Sequence, residues 1–244
     1  KEIELYLNEN KPLNKTLLVQ SINEVINPLI IVYNSLCSVK CKAIADGSVL
    51  DLLRRTYSFG LNLAKLDIRQ ESARHSKLIN SVCKKLGICE YDKLSEAEKI
   101  LFLTKEFKSK RPLIPQNITL DKDDKETWST FKMISESPSE CLGAYVISMA
   151  SNVSDILVVL LLQKEAGIKN YLRIVPLFET LYDLQNSHIV MENLFQNTWY
   201  LKCYKNNQEI MIGYSDSSKD AGKFSASWAQ YCAQERLGTI SKKY

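Results

Sequence analysis

The stretch Ile210-Met211-Ile212-Gly213-Tyr214-Ser215-Asp216-Ser217-Ser218-Lys219-Asp220-Ala221-Gly222 decides how this chain is read. Its apolar opening predicts a strand over 209–213, its polar centre a turn, and its continuation a helix over 217–237. In α/β folds such strand-to-helix junctions face the crevice where ligands bind. Asp216, the hydroxyls of Ser215 and Ser217, and Lys219 fall within about one turn of each other there. An acid and a lysine beside a helix N-terminus suit a metal ion and an anionic substrate.

Upstream of this junction the same pattern recurs. The apolar runs 172–177 and 144–149 predict two further strands, and Phe178-Glu179 closes the first of them. Between them a helix is expected over 155–166, capped by Ser154 and stopped by Gly167; it is apolar almost all round and so reads as buried. Short helices are expected over 181–184, 189–195 and 199–205. Further upstream, period-two alternation over 61–69 predicts a strand with Lys65, Asp67 and Arg69 on one face and Ala64, Leu66 and Ile68 on the other. Helical spacing marks 72–86, a helix opened by the Ser95-x-x-Glu98 capping box, and one carrying Trp128, Phe131 and Ile134. Residues 1–58 read as helix throughout, with Leu18, Ile22, Val25 and Ile26 on one stripe, a start or kink at Pro28 and a turn at Asp46-Gly47. In the last helix Gly222, Ala226, Ala229 and Ala233 form a small-residue stripe and Phe224, Trp228 and Tyr231 a bulky one. The expected fold class is α/β: part of a helix-rich, TIM-like barrel, mostly α-helical with about four parallel strands. Residues 1–58 form a helical segment, and 59–244 a partial barrel that carries the metal and substrate motifs.

Composition narrows the class. The 244 residues are 45% hydrophobic and 25% charged, with 32 Lys+Arg against 28 Asp+Glu and a net charge of +4. That is ordinary globular usage, with no basic stripe interleaved with aromatics to suggest nucleic acid. The longest apolar run, 156–162, is far too short to span a bilayer, so no membrane partner is expected. Seven cysteines in irregular spacing, without C-x-x-C, point to reduced thiols rather than a disulfide framework or a zinc site. Both ends read as interior to a longer protein, so the chain is expected to be a fragment.

Glu179 and Asp216 each end a predicted strand and lie 37 residues apart, about one strand–helix unit. On neighbouring strands they could share one hard cation, Mg²⁺ or Mn²⁺, with positions left for water and substrate oxygens. The plainer alternative is that each acid caps the helix that follows it, since acids are common at helix starts. Arg69 reads as a clamp for phosphate or carboxylate, or as the ion-pair partner of Asp67 or Glu71. Lys219, placed in the first turn of its expected helix, opposes the macrodipole unless an anion binds there; otherwise it is a solvated lysine. His75 and His188 lack the spacing of a triad or zinc site and read as structural or surface residues.

Four ordered blocks carry a family resemblance: Leu66-Asp67-Ile68-Arg69-Gln70-Glu71-Ser72, Ala144-Tyr145-Val146-Ile147-Ser148-Met149-Ala150, Val175-Pro176-Leu177-Phe178-Glu179-Thr180-Leu181, and Ile210 to Gly222. Together they resemble phosphoenolpyruvate carboxylase, in the same order, from about residue 25 to about residue 237. The resemblance implies a cytoplasmic, oligomeric (tetrameric), allosteric enzyme that joins phosphoenolpyruvate and bicarbonate, giving oxaloacetate and phosphate through carboxyphosphate and the pyruvate enolate. It further implies that Glu179 and Asp216 hold Mg²⁺ or Mn²⁺, that Arg69 and Lys219 are catalytic and substrate-binding, and that Leu177 contacts substrate. The family's Thr-Ala-His-Pro-Thr and His-Gly-Arg-Gly-Gly segments are missing here. The chain alone is therefore expected to be inactive. The alternative from a different class is a non-catalytic binding or oligomerisation module derived from this family.

Overall fold

The computed structural model describes residue 19, residues 21–203 and residues 207–244. The helix expected over 1–18, with Leu18, lies outside these, as does the end of the helix expected over 199–205. The chain divides into two compact units, Lys1–Lys65 and Leu66–Tyr244.

In the first unit α1 (Asn23–Ser38) runs through Pro28 instead of restarting there. A short turn, Lys42–Ile44, leads into a π-helical stretch, Ala45–Val49, where Gly47 leaves helical geometry at the expected turn. The Tyr33 hydroxyl donates to Asp46 Oδ1 at 2.8 Å and holds that kink against α1. The helix α2 (Leu50–Phe59) ends at Gly60, whose φ of +58° suits only glycine without strain.

The second unit holds β1 (Leu66–Glu71), α3 (Ser72–Lys85), α4 (Glu96–Lys108), α5 (Lys122–Glu136), β2 (Leu142–Ser148), α6 (Val153–Glu165) and β3 (Arg173–Phe178). It continues with α7 (Leu181–Gln196), α8 (Thr198–Cys203), β4 (Met211–Ile212), α9 (Tyr214–Ala221) and α10 (Lys223–Lys243). The strands form one parallel sheet in sequence order, β1-β2-β3-β4. Among the described residues the architecture found is thus a helix-rich α/β chain with four parallel strands.

The sheet's two faces differ because side chains alternate along a strand. Tyr145, Ile147, Ile174 and Phe178 point into the main core with the buried residues of α3, α5, α6 and α7. Ala144, Val146, Val175 and Leu177 form a separate buried layer with Met211 on the other face. The register pairs Arg69 with Val146 and Val146 with Val175, so Arg69 lies on that second face. The helix α6 is buried at every position from Val153 to Gln163, as its all-round apolarity predicts. Its start differs from expectation. The N-cap is Asn152 and the helix begins at Val153, because the Asp155 carboxylate accepts from the Ser151 and Asn152 N–H groups. Ser154 instead donates through its N–H and Oγ to the Glu96 carboxylate, at 2.8 and 2.7 Å, which ties α6 to the start of α4. That start is the expected capping box, Ser95 with Glu98.

Other boundaries shift for local reasons. The strand expected over 61–69 begins only at Leu66, since Gly60 and Leu63 both take positive φ. The two short helices expected over 181–195 are one, α7; Asn186 and Ser187 bond back to the carbonyls of Tyr182 and Leu184 and so continue the helix rather than break it. The strand expected over 209–213 shortens to Met211–Ile212. The helix expected over 217–237 is two helices, split at Gly222 with φ +75°. In α10 the small residues Ala226, Ala229 and Ala233 are buried where it packs on α7 and α9, while Phe224, Trp228 and Tyr231 stay exposed.

β1 is fastened by an acid. Asp67 Oδ1 accepts from the Ala144 N–H at 2.7 Å, beside Gly143, where a Cβ would fall on that oxygen. Gly143→Ala should therefore displace Asp67 and cost about 1–2 kcal/mol through the lost charge-assisted bond. Urea unfolding measures it, and an unchanged midpoint would mean that Asp67 fastens nothing.

Candidate functional site

Parallel pairing puts the C-terminal ends of all four strands at one edge of the sheet. Ser72 follows β1, Met149 follows β2, Glu179 follows β3, and Gly213 leads from β4 into α9. Gly213 donates its N–H to the Phe178 carbonyl at 2.9 Å. That brings the backbone so close that a Cβ on Gly213 would sit 3.1 Å from Glu179 Cα and 3.2 Å from its Cγ. Three residues on, Asp216 lies near enough to Glu179 for each carboxyl group to act on the other's proton affinity.

The charges around this pair are specific. Arg69 donates to Glu179 Oε2 at 3.3 Å, and the Met149 N–H donates to Oε1 at 3.3 Å. Lys219 Nζ donates to Asp216 Oδ1 at 3.2 Å. Glu179 is nearly buried, and burial pushes its pKa up; the Met149 N–H and Arg69 oppose that shift, while Asp216 adds to it. Asp216, more exposed, is held below its ordinary value chiefly by Lys219. One acid is thus biased toward the proton and its neighbour away from it, as expected for two carboxyl groups sharing one space.

Each sequence candidate has a place. Glu179 and Asp216 come together, and Arg69 joins them through Glu179 rather than pairing with Asp67 or Glu71. Lys219 joins through Asp216, but it sits in the last turn of α9, not the first, because that helix starts at Tyr214. Its charge therefore favours the macrodipole instead of opposing it. Leu177 lies on β3 two residues before Glu179, buried in the apolar layer with Val175 and Met211. Neither acid acts as an N-cap: Thr180 caps α7, with Asp183 completing a capping box, and Asp216 lies inside α9. His75 is fully buried and bonds the Tyr145 hydroxyl through Nε2 at 2.7 Å. Among the described residues the seven cysteines form no disulfide.

Two structural acids escaped the sequence reading. Asp220 Oδ2 accepts from the Leu181 N–H at 2.9 Å and fixes α9 against the start of α7. Asp183 Oδ1 accepts from Ser151 Oγ at 2.7 Å and links the ends of β2 and β3. Gly213→Ala should push α9 away from Glu179 and lower any affinity of the acid pair for Mn²⁺ roughly tenfold, the scale of losing a group that orients a metal ligand. Titration calorimetry checks this, and equal affinity would mean that the close approach of Gly213 is not needed.

Among the described residues no group of three or more His, Cys, Asp or Glu side chains converges to hold a metal. Two carboxylates remain as donors. Their hard oxygens fit a hard divalent ion such as Mg²⁺ or Mn²⁺, which commonly takes one or two carboxylates and fills its other positions with water or substrate oxygens. Fold and site together describe an α/β protein with an acid pair and two cations at the C-terminal edge of a parallel sheet, the edge where ligands bind in open α/β folds generally.

The sequence model of the phosphoenolpyruvate carboxylase family matches residues 3–244, and the chain belongs to that family. It is 46% identical to the C4 phosphoenolpyruvate carboxylase of Flaveria trinervia over 224 residues, 92% of this chain and 23% of the relative. Identity is also 46% to phosphoenolpyruvate carboxylase 1 of Zea mays over 224 residues, again 92% and 23%. For the phosphoenolpyruvate carboxylase of Acinetobacter baumannii it is 45% over 234 residues, 93% of this chain and 26% of the relative. The chain thus spans about a quarter of the length of the curated relatives it matches. Among the described residues no helix is long and apolar enough to cross a membrane.

Proposed function

We propose that this chain supplies the metal-binding acids and part of the anion clamp of a phosphoenolpyruvate carboxylase, joining phosphoenolpyruvate with bicarbonate to give oxaloacetate and phosphate. The observation that carries the reading is the meeting of Glu179 and Asp216 at one edge of the sheet, flanked by Arg69 and Lys219. Glu179 and Asp216 would hold Mg²⁺ or Mn²⁺, which supplies Lewis-acid stabilisation of developing negative charge and a template for both substrates. Arg69, a planar donor, suits the substrate phosphate; Lys219 adds a mobile point charge. Each now balances one acid. With a divalent cation on the acids, both basic groups are available to substrate oxyanions. Leu177 forms the apolar floor beneath.

The apolar layer of Ala144, Val146, Val175, Leu177 and Met211, separate from the main core on the sheet's other face, supports reading 59–244 as an arc of a TIM-like barrel. Residues 1–58 are then a helical segment. By the same family reading the enzyme is a cytoplasmic, allosterically controlled homotetramer. The test is a chimaera in which this chain replaces the matching segment of the Zea mays relative. Carboxylation that depends on Mg²⁺ or Mn²⁺ is the expected result, while the chain alone should give none. An inactive, correctly folded chimaera would overturn the proposal.

A further inference from the structure

Among the described residues of the second unit, Met149 is the one non-glycine residue with positive φ, at +54°. A long side chain adopts that left-handed conformation only when its surroundings impose it. Packing does not impose it here, because Met149 is 45% exposed. Two hydrogen bonds do. The Met149 carbonyl accepts from Ser72 Oγ at 2.8 Å, and its N–H donates to Glu179 Oε1 at 3.3 Å. Ser72 is nearly buried and is the first residue of α3, so the hydroxyl is held in place by the β1–α3 junction.

We infer that Ser72 is a positioning residue for the acid pair: its hydroxyl locks the left-handed Met149 backbone, which aims the Met149 N–H at Glu179 Oε1. This rests on the reading of Glu179 as a metal ligand. The lock fixes one carboxylate oxygen and leaves Oε2, with Arg69, on the other side of the group. A glutamate has three side-chain torsions to freeze before it can bind a cation in a set geometry, and an oriented N–H removes part of that cost in advance. Among the described residues the Ser72 hydroxyl acts on the acid pair through Met149, 77 residues away in sequence.

The test compares the unaltered chain with Ser72→Ala, Ser72→Thr, Ser72→Cys, Glu179→Gln and the double variant Ser72→Ala/Glu179→Gln. Mn²⁺ binding is read by electron paramagnetic resonance of the free ion, and Met149 amide exchange is read without metal. Ser72→Ala should weaken Mn²⁺ binding about threefold to tenfold, the worth of one hydrogen bond, and speed Met149 exchange by a similar factor. Ser72→Thr should restore both, because the hydroxyl returns. In the Glu179→Gln background Ser72→Ala should add nothing to the loss of Mn²⁺. Wild-type binding and exchange in Ser72→Ala, or full additivity with Glu179→Gln, would overturn the inference. If Ser72→Ala folds poorly, Ser72→Cys, with a weaker donor of similar size, serves in its place with the same direction expected. Should the unaltered chain bind no Mn²⁺, the metal reading fails, and the exchange of the Met149 amide still decides the lock: faster supports it, unchanged overturns it.

Discussion

Asp216→Asn in the active chimaera is expected to lower carboxylation by about a hundredfold to a thousandfold, the scale on which removing one preorganised electrostatic group acts. The substitution keeps shape and removes charge. It also leaves Lys219 without its ion-pair partner and takes from Glu179 the neighbour that pushes its pKa upward. Asp216 is on the surface, so the fold should survive: side chains this exposed seldom change stability by more than about half a kcal/mol. Steady-state kinetics at saturating Mg²⁺, with the unfolding midpoint measured alongside, separate the two effects. Near-normal turnover would remove Asp216 from the machinery.

The second large effect concerns stability against pH. Burial pushes the His75 pKa down to about 3, from an ordinary 6.5. Between these values the unfolded chain binds a proton that the folded one refuses, so His75 contributes stability above pH 6.5 that is lost as pH falls toward 3. Asp155 does the reverse. Burial pushes it up to about 6 from 3.8, so its contribution is complete below 3.8 and is lost as pH rises through 6. The two slopes oppose each other between about pH 4 and about pH 6 and nearly cancel. His75→Gln should uncover the acid, making the variant lose about 2–3 kcal/mol relative to its parent as pH rises across that window. Asp155→Asn should gain a similar amount over the same range. Urea unfolding at several pH values measures both. Parallel profiles for parent and variants would mean that neither group is held as its burial implies.

What the sequence let one read follows physical lines. Strands whose side chains must be covered on both faces announce themselves by composition, which is why 144–149 and 172–177 were legible within a residue or two. So were capping chemistry at Ser95 and the buried helix α6, because each is a local matter of residue type and spacing. Glu179 and Asp216 were legible because both follow short apolar runs. The partner of Arg69 was not, since Glu179 lies 110 residues away and only strand register sets which acid it meets. The split at Gly222 was hidden by a continuous helical pattern, although a glycine with a free choice of φ was the one signal available. Together with a helix start expected at Ser217 instead of Tyr214, that error put Lys219 in a first turn rather than a last one and reversed its expected electrostatics. Met149 was illegible altogether: its hydrogen bonds come from the backbone, and a methionine gives no hint of positive φ.

The unoxidised thiols give the molecule a built-in clock. Cys37 and Cys41 lie in the first unit, and Cys83, Cys89, Cys141, Cys203 and Cys232 in the second. Cys83 is wholly covered, and burial raises its pKa, so it exists as an unreactive thiol until α3 parts from its neighbours. Pulsed alkylation followed by peptide mass mapping would therefore time the opening of each half of the chain separately, with no reporter group introduced.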